Sequence, residues 1–356
     1  MLQKVLEGIS AADKRKIREA KEHLDSLIKP PGSLGVLEEI GMKIAGITGK
    51  LENDFEKKIV LIFAADNGVH QEGIAASPKE ITHIQAINMV KGLAGISVLA
   101  QEAGADIRVI DIGIDGNVEE NSIIKEKIAY GTKNILEEDA MSISEAINAI
   151  EVGIKAVNWA KENGYQLIGT GEMGIGNSTT SSAILSAVAK LPGEDTVGYG
   201  AGLSIEDYQH KINVVNKVLM RYGHEEEQMD IIKILCRFGG FDIAGMTGVF
   251  LAASYYRIPV VVDGFISAVS ALLAYKLNEN VKDYLLFSHA STEPGFKIIE
   301  EIIGLKAPLM MEMRLGEGSG CPIMFKIIDS SMAIIKNMGC LADCNISKEI
   351  LVDIRE

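Results

Sequence analysis

The chain has 356 residues, 47% hydrophobic and 24% charged, enough for one large α/β domain or two smaller ones. Its 35 Lys and Arg against 49 Asp and Glu give a formal net charge of −14. That balance argues against a general nucleic-acid binder, which needs a basic footprint, but leaves open a small anion held by backbone amides at glycine turns and helix N-termini.

Charged residues interrupt the N-terminal 24 residues before any apolar run of signal-peptide length, and no window approaches the roughly 20 apolar residues of a membrane span, so the expected compartment is the cytoplasm. Residues 1–29 and 36–50 read as helices, separated by the breaker Pro30-Pro31-Gly32-Ser33-Leu34-Gly35. From there, short β-branched apolar runs alternate with longer helical patterns. Strands are predicted at Lys58–Ala65, Ile107–Ile112, Gln166–Thr170, Ile258–Asp263, Leu285–Ser288 and Pro308–Met313. Runs apolar on both faces, each followed by a helix, predict an α/β fold: a parallel, Rossmann-like sheet flanked by helices. The expected organisation is a helical segment 1–50, an α/β domain over 51–330, and a C-terminal segment 331–356 that joins the first in a smaller helical domain. The four cysteines form no CxxC pair and the six histidines form no HExxH, so no protein-bound metal or other cofactor is expected.

The 36 glycines against 8 prolines follow no low-complexity pattern and are expected at particular loops. Ala64-Ala65-Asp66-Asn67-Gly68 follows the first predicted strand and Gly169–Asn177 the third, while Asp263-Gly264-Phe265 closes the fourth. Ser288–Gly295 follows the fifth and Arg314–Gly320 the last. In an open parallel sheet these loops share the carboxyl edge of the strands, where ligands bind. Gly169–Asn177, before a helix beginning near Ser178, suits a phosphate but also suits an ordinary turn. Ser288 and Ser291 are donors to the same anion or plain helix caps. Glu317, set between Gly316 and Gly318, is a candidate general base or a solvated surface glutamate. Asp263, at the end of a buried run, bonds ribose hydroxyls or caps the next helix.

Taken together, Pro30–Gly35, Ala64–Gly68 with Glu72-Gly73, Ser77-Pro78-Lys79-Glu80-Ile81-Thr82, Gly169–Asn177, Asp242-Ile243-Ala244-Gly245-Met246, Asp263-Gly264-Phe265, Ser288–Gly295 and Leu315–Gly320 resemble the nicotinate-nucleotide:dimethylbenzimidazole phosphoribosyltransferase family of cobalamin lower-ligand biosynthesis. The resemblance implies transfer of ribose phosphate from nicotinate mononucleotide to an aromatic base, giving an α-riboside phosphate and nicotinate. It implies Glu317 as general base and a phosphate cradle of Gly174, Gly176, Gly200 and Ser291, approached by Lys211. It places Glu172 near the ribose or reacting base, and Ser77, Gln85 and Leu315 against the flat acceptor. Asn177, Asp242, Asp263 and Ser288 are further expected substrate-binding positions, and a homodimer is implied. Read alone, Lys211 and Gln85 would be solvated helix residues. The chain departs from the family's pattern at Asn67 and Phe296, where many members carry histidine, and at Cys321, where alanine is common. A nucleosidase or phosphorylase acting on a similar nucleotide, and a non-catalytic nucleotide-binding protein, fit the same loops.

Overall fold

Strand β1 (Lys58–Ala65) is buried along its whole length. Its side chains alternate with the two-residue period of a strand: Ile59, Leu61 and Phe63 enter one apolar core, Val60 and Ile62 a second on the opposite face. A strand apolar on both sides belongs inside a parallel sheet covered by helices. The computed structural model, which describes residues 1–200, 202–222, 230–344 and 351–355, places it there. β2 (Asp106–Gly113), β3 (Ile124–Lys125), β4 (Leu167–Met173), β5 (Val260–Val262) and β6 (Leu285–Phe287) complete a six-stranded sheet of order β3-β2-β1-β4-β5-β6, every pair parallel. The chain winds outward from β1 in one direction and from β4 in the other. Ligands of such sheets sit outside the carboxyl ends of the strands at this reversal.

The helices are α1 (Leu2–Gly8), α2 (Lys14–Ser26), α3 (Val36–Thr48), α4 (Glu80–Val90), α5 (Gly95–Ala103), α6 (Ile143–Glu162), α7 (Asn177–Ala189), α8 (Gly193–Thr196), α9 (Ile205–Tyr222), α10 (Ile231–Phe238), α11 (Phe241–Tyr256), α12 (Phe265–Leu277), α13 (Pro294–Ile303) and α14 (Gly320–Asn337). Helices α6 and α11 cross at backbone contact on one side of the sheet. A Cβ on Gly153 would fall 1.9 Å from the Gly245 carbonyl oxygen, and one on Gly248 2.0 Å from that of Ile150. Glycines therefore serve helix packing as well as the loops to which the sequence assigns them. On the other side, Met324, Phe325 and Ile328 of α14 share a core with Val60, Ile62 and Leu167.

Residues 1–29 form two helices rather than one. Asp13 caps α2 by accepting from the amides of Arg15 (2.9 Å) and Lys16 (3.2 Å), a break hidden by similar apolar spacing on both sides. Helices α2 and α3 pack together, and α3 also packs against α14. Residues 26–28 exchange bonds with 339–341: Ile28 N donates to Gly339 O and Leu341 N to Ser26 O, both at 2.9 Å. Helix α1 packs instead against α6 and α11. Of the C-terminal segment, 345–350 and 356 lie outside the described residues.

The predicted strand Pro308–Met313 is not one. It makes a single parallel bridge, Leu309 with His289. The sixth strand is Ile124–Lys125, paired with Ile110 and Asp111 of β2; two residues are too few for any alternation to show in a sequence. Strand β4 runs on to Met173, past the predicted end at Thr170, because Gly171 pairs with Ile62 in register.

Candidate functional site

A cavity of about 300 Å³ opens at the carboxyl ends of β4, β5 and β6 beside the segment after β1. Of the sequence-predicted site residues, Ser77, Gln85, Glu172, Gly174, Gly176, Asn177, Gly200, Lys211, Asp263, Ser291, Leu315 and Glu317 line it. Asp242 and Ser288 do not; they stand behind the lining. Asp242 Oδ2 accepts from Asn177 Nδ2 at 3.0 Å. Ser288, fully buried, donates to the Asp263 carbonyl and hydrogen-bonds His289 Nδ1, both at 3.1 Å. Both bond residues that do face the cavity, Asn177 for the one and Asp263 and His289 for the other.

One end of the cavity holds Lys211 and the start of α7, with the Glu293 carboxylate beside them. The turn after β4 ends with Gly176 in the left-handed region (φ +95°), which starts α7 and aims its N-terminus at the cavity. Lys211 of α9 is fully buried there, against its reading as a solvated lysine. Its Nζ donates to Ser178 Oγ and to the Gly198 carbonyl, each at 3.1 Å, and burial lowers its pKa. Gly200 N donates to Glu293 Oε1 at 2.9 Å, and Ser291 Oγ accepts from Glu293 N at 3.4 Å.

The other end carries Glu317. It is only 5% exposed, so it is not a solvated loop residue. Its Oε1 accepts from Gln85 Nε2 at 2.6 Å and its Oε2 from Ile96 N, in the first turn of α5, at 3.1 Å. Gln85 is thus half-buried and aimed inward. Glu317 holds φ +64° between Gly316 (+80°) and Gly318 (+88°), a left-handed run that ordinary side chains avoid. Leu315 is 58% exposed at the rim.

Buried carboxylates stand in the cavity wall, Glu172 and Asp263, and behind it, Asp242. Burial, and next the charge of Asp242, pushes Glu172 up to about 8. Burial pushes Asp242 up to about 6 and Asp263 up to about 7. Asn177 Nδ2 donates to both Glu172 Oε2 and Asp242 Oδ2, bridging the pair. Asp263 accepts from Gly320 N with Oδ1 (2.7 Å) and from Gly318 N with Oδ2 (3.1 Å). Its side chain thus caps α14, where the sequence offers ribose hydroxyls or a cap of the helix that follows it. Burial lowers the pKa of His289, which keeps its ring neutral near pH 7.

Sequence reasoning missed Ser178, Tyr199, His289, Glu293 and Arg314 among the lining. Ser178 and Glu293 read as helix starts, and His289 lies within a loop already singled out. Nothing in the sequence signals Tyr199, which stacks on Tyr208 at 4.1 Å. The departures at Asn67, Phe296 and Cys321 all fall outside the lining. Phe296 packs edge-on against Phe287 in the core, and Cys321 sits fully buried against Thr170 and Val261. Among the described residues, no group of three or more His, Cys, Asp or Glu could hold a metal ion.

A family model described as phosphoribosyltransferase matches residues 9–346. A Clostridium tetani relative, named nicotinate-nucleotide-dimethylbenzimidazole phosphoribosyltransferase, is 47% identical over 100% of this chain and 98% of its own length. A Clostridium perfringens protein of the same name is 45% identical with the same coverage. A crystal structure of CobT from Thermus thermophilus superposes with a TM-score of 0.89 at 31% identity, covering 94% of this chain and 99% of that one.

Proposed function

Because the chain belongs to the phosphoribosyltransferase family represented by these relatives, we propose that it moves the 5-phosphoribosyl group of nicotinate mononucleotide to 5,6-dimethylbenzimidazole, giving α-ribazole 5′-phosphate and nicotinate. Support comes from the polarity of one cavity. Lys211 and the start of α7 suit a phosphate at one end, while Glu172 and Glu317 line the part nearer Gln85 and Leu315.

In this reading Gly174, Gly176, Gly200, Ser291 and Lys211 hold the phosphate, and Ser77, Gln85 and Leu315 flank the flat acceptor. The C1′–N bond breaks and its electron pair returns to the pyridinium, so nicotinate leaves with a neutral ring nitrogen. The unprotonated benzimidazole nitrogen attacks C1′ with its lone pair from the opposite face, turning β into α, and the proton on the other ring nitrogen passes to Glu317. A leaving group that departs neutral at its ring nitrogen needs no metal-bound diphosphate. Purified protein with both substrates is expected to release nicotinate and form the α-riboside at equal rates in EDTA and in magnesium, read by mass spectrometry. Free ribose 5-phosphate without the riboside would instead favour a nucleosidase, and nucleotide binding without turnover a non-catalytic role.

We further propose a homodimer. Ile84, Leu93, Val98 and Leu315 are exposed apolar residues on α4, in the turn before α5, on α5 and on the cavity rim. Light scattering is expected to give twice the 38.4 kDa chain mass; a mass of one chain refutes it. No helix among the described residues is long and apolar enough to cross a membrane. The cytoplasm is the proposed compartment, supported by four free thiols. The division at residues 50 and 330 is likewise proposed, supported by the exchange between 26–28 and 339–341.

A further inference from the structure

We propose that Asp263 is a positioning residue for Glu317: it clamps the loop that carries the base and is not a ligand of the nucleotide. This rests on the reading of Glu317 as general base.

Asp263 directly follows β5 and is 2% exposed, and each side-chain oxygen already accepts a backbone N–H, from Gly318 and Gly320. The residue is itself immobilised by its neighbours. Its amide donates to Ser267 Oγ at 3.1 Å, Ser267 Oγ bonds Thr170 Oγ1 of β4 at 2.6 Å, and Ser288 Oγ donates to its carbonyl at 3.1 Å. Bonds from β4, the start of α12 and the residue after β6 thus fix the Asp263 backbone, and its carboxylate holds the loop.

The loop requires such a clamp. A non-glycine residue in the left-handed region is strained and persists only where its surroundings over-determine it. Glu317 is in that region with a left-handed neighbour on each side. On its other flank the loop meets β4, where a Cβ on Gly171 would fall 2.4 Å from the Glu317 carbonyl oxygen. The Glu317 backbone is therefore held between β4 and the Asp263 clamp. The direction of its carboxylate, toward Gln85 Nε2 and Ile96 N, follows from that grip.

Asp263→Asn keeps the shape but turns an N–H donor toward one of the two loop amides. It is expected to lower kcat up to about 100-fold, the cost of a misplacement of about 1 Å, while KM for nicotinate mononucleotide stays nearly unchanged. Added to Glu317→Gln, it is expected to cost little more, because both changes disable the same group. A raised KM with near-wild-type kcat, or losses that multiply in the double variant, would overturn the proposal and mark Asp263 as a nucleotide ligand or a merely structural residue. Glu317→Gln at the wild-type rate would remove the base reading and this proposal with it. A slow Glu317→Gln beside a fully active Asp263→Asn would remove this proposal alone. Should Asp263→Asn fail to fold, the wild-type protein decides the matter. The Gly318 and Gly320 amides are expected to be protected in hydrogen exchange, and fast exchange at both overturns the clamp.

Discussion

Glu317→Gln is expected to lower kcat by about 10²–10⁴-fold, the usual contribution of a positioned general base, with KM for nicotinate mononucleotide nearly unchanged. The split follows from geometry. Glu317 bonds Gln85 and Ile96 and shares no hydrogen-bond partner with Lys211, so holding the donor's phosphate does not depend on it. Its two oxygens are fixed by Gln85 Nε2 and Ile96 N, which leaves lone pairs for an incoming proton and no freedom to turn aside. Glutamine in its place keeps one acceptor, cannot take the proton, and sets an NH2 against one of those two donors. The second effect costs about 1–3 kcal/mol of stability, so a thermal melt and calorimetric binding of nicotinate mononucleotide must accompany the rates. A variant that binds the donor normally and turns over at the wild-type rate places the base elsewhere, with Glu172 the next carboxylate in the cavity.

The sheet was legible because β1, β2 and β4 are long enough to carry a pattern, and because glycine and small polar residues collect where strands end at one edge. β3 was not, because two residues have no period. The sequence also could not show which glycines work in loops: Gly153 and Gly248 sit inside helices and matter only where α6 meets α11. At the site, Glu317, Lys211 and Gln85 could be placed only through the joint resemblance of the motifs, since each alone suits a surface position. Their burial is a tertiary fact. Asp242 and Ser288 mark the complementary limit. A motif tells that a residue belongs to a site, but whether it faces the cavity or stands one layer behind depends on side-chain direction at helix starts and strand ends.

Buried acids also set how stability depends on pH. Glu172 is pushed from an ordinary 4.5 up to about 8, chiefly by burial and then by Asp242. Between those values the folded chain binds more protons than the unfolded chain, so stability falls as pH rises. The penalty is absent below about pH 4.5 and complete above about pH 8. Asp263 and Asp242 add the same sign over the ranges 3.8 to about 7 and 3.8 to about 6. Glu172→Gln removes the largest share and relieves Asp242 of a like charge across the Asn177 bridge. It is therefore expected to stabilise the ligand-free protein by about 2–4 kcal/mol at about pH 9, and by little at about pH 5. Urea denaturation at the two pH values reads the difference. Activity at about pH 9 is expected to fall in the same variant, because the carboxylate, ionised there, favours positive charge on the ribosyl group as the C1′–N bond breaks. Parallel stability curves for the variant and the wild type would show that Glu172 does not hold a proton in the folded chain. A stabilised variant with full activity would separate the strain of the empty site from its chemistry.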